Sequence, residues 1–337
     1  MKTGQMEKAS LRDPETGAYS ADFLADCLEQ ECSKAGRFRR PLSLVFLFLG
    51  DVASSAEKIR EEPASAALSG MVDGIRKTLR NSDLIARVSR DRFCVVLPET
   101  DHFGSLLTLR RIRKTVRGMG MLQSATYPGD GRDFAELSRA GEEKHLRQKK
   151  SPLFRLRLMD KTFWDAFDIL MGKPEDYDHL RKGEEVPFFS RVDKDLGRNR
   201  HFTLSRETFL RLVEAVAQDV SFQGNFRGLV IAAGPRPEIF KRIFLSFESG
   251  EPARRNVCVV GPAGSIRDGA KNMRYENAHD ETLKEKEVLL YLKEDGAYGI
   301  FAAGRQDEVC GFHTADEWLV EAMMEKMQEH YRLQGNF

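Results

Sequence analysis

The sequence carries little net charge, because 53 lysine and arginine residues are nearly balanced by 52 aspartate and glutamate residues, giving a formal charge of +1. Such a balance gives no indication of binding to nucleic acid or to an anionic membrane. Long apolar runs are also missing: the longest, Leu42 to Leu49, is far shorter than the about 20 residues that cross a bilayer. Met1 to Gln5 contain no apolar segment of the signal-peptide type. We therefore predict neither a membrane partner nor secretion.

Cysteine is scarce and scattered. The five residues are Cys27, Cys32, Cys94, Cys258 and Cys310. They form no Cys-x-x-Cys pair, and no histidine stands at a spacing typical of zinc ligands. His201, His279 and His313 are too far apart in the sequence to indicate one metal site. We predict reduced thiols in a cytoplasmic protein, with no bound metal and no cofactor.

The 337 residues suffice for about two domains. Residues 1–150 carry the clearest alternation of helical and strand patterns. Residues 151–200 are predicted as a connector, since much of this stretch is charged and interrupted by proline and glycine. Residues 201–337 form a second periodic region. The predicted fold class is α/β (α+β): a central sheet with flanking helices, followed by a second, smaller α/β domain.

A β-hairpin organises the first domain. Two short apolar runs, Leu84–Val88 and Phe93–Leu97, flank the polar turn Ser89–Arg92, which lacks the glycines that hairpin turns prefer. Leu42–Leu49 is apolar except at Ser43 and carries apolar residues on both faces, which predicts a central strand of a sheet that helices cover.

This hairpin resembles the signature of GGDEF domains, the diguanylate cyclases, in which Gly-Gly-Asp/Glu-Glu-Phe is followed by an apolar strand and Leu-Pro-x-Thr. Here Ser89–Phe93 occupies the motif and Leu97–Thr100 follows in register. Asp13, Thr16 and Gly17 resemble the Asp-x-Leu-Thr-Gly opening of the family. The resemblance covers roughly the first 150 residues and implies a nucleotide-cyclase-like central sheet.

The sequence departs from the family at the positions that the resemblance assigns to metal, guanine and phosphate binding. These positions are Phe48, Ala56, Ser65, Ser89, Arg90 and Arg92. Phe48 stands where the family has a metal-binding aspartate, although Mg²⁺ takes oxygen ligands. Asp51, three positions on, would be a shifted ligand or a solvated loop residue. Two-metal phosphoryl transfer needs acidic ligands, so the chain is predicted not to be an enzyme.

One constellation of the family is retained. Its inhibitory site, which binds the product cyclic di-GMP, is marked by Arg-x-x-Asp nine residues before the signature turn, and Arg80 and Asp83 stand at that offset from Ser89. Arg111 matches an arginine of the following helix, and Arg87 is a further candidate. A guanidinium can pair with guanine O6 and N7, and a further arginine can neutralise a phosphate. Alternatively, the two residues have only structural roles, in which Asp83 begins a strand and Arg80 exposes its charge to solvent at the end of the preceding helix.

The second periodic region follows the order α-β-α-β-β-β-α. Lys293–Gly296 between two apolar runs indicates a hairpin, and Ala315–Tyr331 indicates a closing helix. This order resembles the DICT domain, a sensory module found beside cyclase-family domains. Gly261–Ser265 is predicted as a plain turn, because no Lys-Ser/Thr follows it as in a phosphate-binding loop.

Three functional hypotheses follow. The first is a non-catalytic receptor for cyclic di-GMP in bacterial signalling, which binds the ligand at Arg80, Asp83 and Arg111 and passes the signal to an unidentified protein partner. A ligand that bridges two surfaces would also be compatible with a homo-oligomer. The second is a scaffold that binds proteins without any nucleotide. The third, an active cyclase, would convert GTP in the presence of Mg²⁺.

Overall fold

The computed structural model describes ten stretches of the chain: residues 11–49, 64–116, 118–172, 178–179, 200–222, 228–246, 256–265, 273–294, 296–304 and 307–333. Asp51 and Ala56 lie outside these stretches, and so does the side chain of Ser65. The chain divides into two compact units, Met1–Lys149 and Lys150–Phe337. Among the described residues, no helix is both long and apolar enough to cross a membrane.

The first unit is a sheet with helices on both faces. Its elements are α1 (Ala21–Phe38), β1 (Leu42–Phe48), α2 (Ala64–Arg76), β2 (Leu84–Ser89), β3 (Arg92–Pro98), α3 (His102–Val116), β4 (Met121–Tyr127) and α4 (Phe134–Gln148). The four strands are antiparallel and follow the order β2-β3-β1-β4. The predicted α/β class and central sheet are confirmed.

Strand β1 lies between β3 and β4, and all seven of its residues are buried. Val45 and Leu47 pack on the side of α2 and α3, whereas Phe46 and Phe48 pack on the side of α1 and α4. Six of the seven residues are apolar, and the hydroxyl of the exception, Ser43, donates to the Thr100 carbonyl (2.9 Å). The strand is therefore largely apolar on both faces, as the sequence predicted.

The predicted hairpin is also confirmed, with a register shift between Arg87 and Ser89. Strand β2 is the edge of the sheet, and the N-terminal loop lies beside it. The Tyr19 N–H donates to the Ile85 carbonyl (2.9 Å), and the Arg87 N–H donates to the Tyr19 carbonyl (2.8 Å). These bonds satisfy backbone groups of β2 that would otherwise be free to pair with a strand of another chain.

The second unit contains an eight-stranded mixed sheet in the order β5-β6-β12-β11-β10-β7-β8-β9. Its elements are α5 (Pro152–Arg155), α6 (Phe163–Met171), β5 (Asp178–His179), β6 (Arg200–Ser205), α7 (Arg206–Phe222), β7 (Gly228–Ala233), α8 (Pro237–Ser246), β8 (Val257–Pro262), β9 (Arg274–Ala278), a 3₁₀ turn (Glu281–Lys284), β10 (Lys286–Lys293), β11 (Gly296–Gly304), β12 (Glu308–Thr314) and α9 (Glu317–His330). This sheet has twice as many strands as that of the first unit, and the predicted second α/β region is present.

Two expectations need correction. The predicted order omitted β6, β9 and β12, and β9 is mostly exposed and polar, so it lacks the apolar signal of a strand. The start of the predicted connector instead belongs to the second unit. The Phe167 ring of α6 lies 5.9 Å from the Phe301 ring of β11, and the Ser151 hydroxyl donates to Asp316 (2.8 Å). The aromatic residues of α6 are thus part of this core.

Asp280 joins three separate segments of the second unit. Its carboxylate accepts hydrogen bonds from the Trp164 indole (2.8 Å), the Tyr331 hydroxyl (2.7 Å) and the Thr282 N–H (2.9 Å). Burial alone would raise the pKa of Asp280, but these hydrogen bonds outweigh it and hold the pKa well below the usual range. The ionised carboxylate therefore ties α6 and the end of α9 to the 3₁₀ turn.

This arrangement predicts a loss of stability in acid. Because the folded-state pKa of Asp280 is lowered, its ionised form stabilises the fold above the unfolded pKa of about 3.9, and this contribution is lost as the pH falls through the folded value. Urea unfolding followed by tryptophan fluorescence at a series of pH values measures the effect. Asp280→Asn should show a smaller fall in the urea midpoint below about pH 4 than wild type. An identical pH profile for the two proteins would contradict the assignment.

Candidate functional site

Phe48, at the end of β1, lies at the centre of a mixed aromatic and cationic cluster. It is 8% exposed and stands opposite Arg92 in the β1–β3 register. The Arg92 guanidinium carbon lies 5.1 Å from the centroid of the Phe48 ring, and the His145 ring stacks on Phe48 at 4.1 Å with an interplanar angle of 12°. Arg92 also forms an ion pair with Glu142 of α4. The end of β1 is therefore tied to both β3 and α4.

This cluster holds a cation where the resemblance assigns metal ligands. Phe48 offers no oxygen, and the fixed positive charge of Arg92 repels a divalent cation. In the turn itself, the Asp91 carboxylate accepts a hydrogen bond from the Ser89 hydroxyl (2.8 Å). Within the described stretches, no group of three or more His, Cys, Asp or Glu residues is arranged to hold a metal ion.

His145 belongs to this cluster although no partner for it can be recognised in the neighbouring sequence. The residue is half-buried on α4, and its ring is covered by Phe48. Burial lowers its pKa, and the positive charges of Lys149 and Arg92 lower it further. The neutral imidazole is therefore the form that stacks at neutral pH.

Arg87, a predicted ligand of cyclic di-GMP, is engaged inside the unit. Its guanidinium, 10% exposed, pairs with Asp13 (3.1 Å) and Glu15 (2.5 Å). The same group donates to the carbonyls of Ser89 (3.3 Å) and Arg90 (3.0 Å). Burial alone would lower its pKa, but the hydrogen bonds to the two carboxylates raise it. Arg87 therefore fixes the hairpin turn to the N-terminal loop, and we leave it out of the ligand site.

Arg80 and Asp83 form a tight turn between α2 and β2. The Arg80 N–H donates to the Asp83 carboxylate (2.9 Å), and the Asp83 N–H donates to the Arg80 carbonyl (3.0 Å). The Ser82 hydroxyl donates to the second carboxylate oxygen of Asp83 (3.2 Å). Arg80 is exposed, and its guanidinium has no side-chain partner among the residues that the structure describes. The turn thus presents a guanidinium to solvent beside a carboxylate.

Arg111 lies on α3, which packs against α2. A Cβ at Gly74 of α2 would lie only 2.7 Å from Cγ2 of Thr115, so glycine permits this close approach. The Thr115 hydroxyl donates to the Arg111 carbonyl one turn earlier (3.2 Å). Arg111 is exposed and donates to the Thr108 hydroxyl (2.9 Å). Since Gly74 and Thr115 both lie in the last turns of their helices, the packing brings the end of α2, which Arg80 follows, towards the helix that carries Arg111.

The family model described as diguanylate cyclase, GGDEF domain, matches residues 10–127. Residues 10–127 are a GGDEF domain. The match begins just before the Asp13–Gly17 opening and ends with β4, so it includes the hairpin, the Arg80–Asp83 turn and Arg111.

Individual relatives of the GGDEF domain are distant. A cyclic di-GMP phosphodiesterase, NbdA of Pseudomonas aeruginosa, is 27% identical over 145 residues, which cover 38% of this chain and 18% of that protein. The chain therefore spans less than a fifth of the length of this relative.

Solved structures with similar folds include two cyclase-family proteins. One is the diguanylate cyclase SiaD of Pseudomonas aeruginosa in complex with its activator SiaC, with 20% identity, a TM-score of 0.38, and coverage of 43% of this chain and 60% of that chain. The other is the GGDEF domain of DgcB from Caulobacter crescentus in complex with c-di-GMP, with 14% identity, a TM-score of 0.37, and coverage of 43% and 94%.

The structure groups the predicted residues into two places in the GGDEF domain. Phe48 and Arg92 meet in the cluster at the end of β1, whereas Arg80 and Asp83 form the turn before β2. Sequence reasoning missed Glu142 and His145, which complete the first place.

Proposed function

We propose that this chain is a non-catalytic receptor for cyclic di-GMP in bacterial signalling. The ligand binds at Arg80, Asp83 and Arg111 of the GGDEF domain, and the bound state is recognised by a protein partner. The family match over residues 10–127 supports the ligand class, since diguanylate cyclases make this molecule. NbdA and DgcB, which are named for acting on or binding cyclic di-GMP, belong to the same signalling chemistry.

The absence of catalysis in this proposal is supported by the cluster at the end of β1. Turnover needs two metal ions held by carboxylates, together with a backbone that can approach a triphosphate closely. Phe48 and Arg92 replace carboxylates with a ring and a cation that contact each other. Ser89 and Arg90 add side chains where the family has glycine, which narrows the approach to the backbone. We therefore propose that the catalytic site of this domain is degenerate.

The receptor proposal rests on the exposed guanidinium of Arg80, which lies beside the Asp83 carboxylate and has no side-chain partner in the described part of the chain. Arg80 supplies parallel donors for guanine O6 and N7. A carboxylate has about four acceptor sites, and two are used by the Arg80 N–H and the Ser82 hydroxyl. The remaining capacity of Asp83 can accept the N1 and N2 hydrogens of guanine. Arg111 adds positive charge for a ligand phosphate.

Signal transfer requires two states that the ligand binds differently. By bridging Arg80, Asp83 and Arg111, of one molecule or of two, the ligand would favour one arrangement of these surfaces. A partner that binds only this arrangement would then report the concentration of the ligand. The second unit, predicted to resemble a DICT sensory domain, is the proposed route to that partner. The SiaD–SiaC complex is an instance of a cyclase-family protein with a protein activator.

The alternative, a scaffold that binds no nucleotide, has one observation in its favour. The Arg80–Asp83 turn is stabilised by its own hydrogen bonds, so both residue types have a structural reason to be present without any ligand. In that case the Arg80 side chain would be dispensable, because the turn uses its backbone rather than its guanidinium.

Calorimetric titration of the full chain with cyclic di-GMP separates the two proposals. We expect saturable binding by wild type, and at least about tenfold weaker binding by Arg80→Ala, because a charge-assisted contact contributes about 1.5–3 kcal/mol. The variant should fold normally, since only the backbone of Arg80 takes part in the turn. Arg90→Ala, which removes an exposed arginine from the hairpin turn, is the matched control and should bind as wild type does.

The scaffold alternative predicts the opposite result. No heat of binding by wild type, together with an unchanged melting temperature at saturating ligand, would support the scaffold. Equal affinity of wild type and Arg80→Ala would move the site away from this turn. Unchanged small-angle scattering on ligand addition would leave binding intact but remove the proposed change of arrangement.

A further inference from the structure

The three candidate arginines of the GGDEF domain are held in different ways. The Arg87 guanidinium pairs with two carboxylates, which cancel its charge. The Arg80 guanidinium has no side-chain partner in the described part of the chain. The Arg111 guanidinium donates to a neutral oxygen, that of the Thr108 hydroxyl (2.9 Å). Arg111 is therefore held by a group that leaves its positive charge uncompensated.

The Thr108 hydroxyl is itself fixed in direction. Thr108 lies about one turn before Arg111 on α3 and is only 4% exposed. Its hydroxyl donates to the carbonyl of Gly104 (3.2 Å), a bond that threonine commonly makes within a helix. Because a hydroxyl has one proton and two acceptor lone pairs, the oxygen that remains towards Arg111 can only accept. A guanidinium can only donate, so the two groups match.

The surroundings of Arg111 favour an anionic ligand. Helix α3 contains three further cations near its end, Arg110, Arg113 and Lys114, and no carboxylate. Among the residues that the structure describes, the Arg111 guanidinium contacts no acidic group and makes no hydrogen bond other than that to Thr108. A guanidinium has five N–H donors, so four remain. Phosphate oxygens are strong acceptors for such donors.

The fold itself does not require a hydroxyl at position 108. Valine has the same branched shape and would fill the same buried space. A threonine hydroxyl that bonds to the preceding turn slightly destabilises a helix and often bends it. In a helix the Gly104 carbonyl already accepts the N–H of the residue four positions on, so it does not need the hydroxyl. The hydroxyl of Thr108 is therefore better explained by its contact with Arg111.

We propose that Thr108 is a positioning residue of the cyclic di-GMP site, which holds the Arg111 guanidinium ready for a ligand phosphate without neutralising it. This inference rests on the receptor function proposed above. An arginine side chain loses rotamer freedom when a ligand immobilises it, and a bond that already restricts the side chain lowers that cost. Thr108 acts on the ligand only through Arg111.

Calorimetric titration of the full chain with cyclic di-GMP tests this role. Thr108→Val removes the hydroxyl and keeps the branched shape, and we expect about threefold to tenfold weaker binding. Thr108→Ser keeps the hydroxyl and should bind within about twofold of wild type. Recovery by serine would show that the hydroxyl, and not the packing of the side chain, is what the site needs.

A double-mutant cycle separates positioning from a general disturbance of α3. In an Arg111→Ala background, Thr108→Val should cause no further loss of affinity, because the guanidinium through which it acts is absent. A disturbance of the helix would weaken binding by the same factor in both backgrounds. Thr115→Val is the matched control: the Thr115 hydroxyl donates to the Arg111 carbonyl (3.2 Å) and not to its side chain. This variant should bind as wild type does.

The possible outcomes distinguish this role from the receptor function. If wild type binds cyclic di-GMP but Thr108→Val has the same or a higher affinity, the positioning role is wrong and the receptor function stands. An unchanged affinity of Arg111→Ala, or a further loss in the double variant, would also overturn the positioning role. Absence of binding by wild type would overturn both proposals.

Discussion

Replacing Phe48 with alanine is expected to lower the free energy of unfolding of the first unit by about 3–5 kcal/mol, the usual cost of removing a buried phenylalanine. The ring is 8% exposed and contacts both Arg92 and His145, so its loss opens a cavity between the sheet and α4. Phe48→Asp, which restores the family's residue type, should cost at least as much. It removes the same contacts and places a carboxylate in a largely buried position.

The matched control is Phe38→Ala. Phe38 is 59% exposed, so its replacement should change the free energy of unfolding by less than about 0.5 kcal/mol. Hydrogen exchange followed by mass spectrometry over residues 42–48 and 92–98 reports on the first unit directly, and urea unfolding gives the energy. A radiolabel assay with GTP and Mg²⁺ should show no product for wild type or for Phe48→Asp.

This experiment shows whether Phe48 has become an essential part of the core or whether one substitution can restore the metal site. If Phe48→Asp destabilises the domain and yields no product, the ring and its neighbours have become part of the core. The metal site then cannot be recovered by one substitution, because Arg92 and its ion pair with Glu142 still occupy it. If Phe48→Asp is as stable as wild type and converts GTP, the metal site can be recovered by one substitution. Product from wild type itself would contradict the assignment of the domain as non-catalytic.

The fold of the first unit could be predicted because its signals are local. The run from Leu42 to Leu49 is apolar except at Ser43, and a strand with apolar residues on both faces is typical of a central strand in a sheet covered by helices. The hairpin follows from two adjacent runs and a polar turn. In the second unit, β9 was missed because an exposed edge strand with the sequence Arg-Tyr-Glu-Asn-Ala shows no alternation of apolar and polar residues.

The site was less predictable, because its decisive contacts join residues distant in the sequence. The offset of Arg80 and Asp83 from the turn can be counted, but the partners of Arg87 lie 72 and 74 residues away in the chain. No spacing rule links Arg87 to Asp13, so an internal ion pair was indistinguishable from a ligand contact. The contact of His145 could not be predicted for the same reason, since the Phe48 ring that covers it lies on β1.

The second large effect is expected in the second unit, at a buried ion pair. Arg206, at the start of α7, pairs with Glu287 of β10 at 2.5 Å, and their side chains are only 12% and 7% exposed. A Cβ at Gly234 would lie 2.9 Å from Cγ of Glu287, which shows how closely the neighbouring strand packs on the glutamate. Arg206→Ala leaves this carboxylate buried without its main counter-charge, and we expect a loss of about 3–5 kcal/mol.

The chain offers both a probe and a control for this measurement. Its two tryptophans, Trp164 and Trp318, both lie in the second unit, so fluorescence during urea unfolding follows that unit alone. Arg211→Ala breaks the ion pair with Glu207, and the side chains of this pair are 73% and 76% exposed. The substitution should lower the free energy of unfolding by less than about 1 kcal/mol. Equal effects of the two single variants would contradict the distinction between buried and exposed pairs.

A double variant, Arg206→Met with Glu287→Leu, replaces both charges by apolar side chains. It separates the stabilisation by the ion pair from the destabilisation that an unpaired, buried Glu287 carboxylate causes. Apolar residues of similar volume often replace a buried pair with little loss of stability, because the desolvation of both charges is avoided. We therefore expect the double variant to be more stable than Arg206→Ala alone. If it is equally unstable, the pair itself stabilises the second unit, and the burial of an unpaired Glu287 carboxylate is not the cause of the loss.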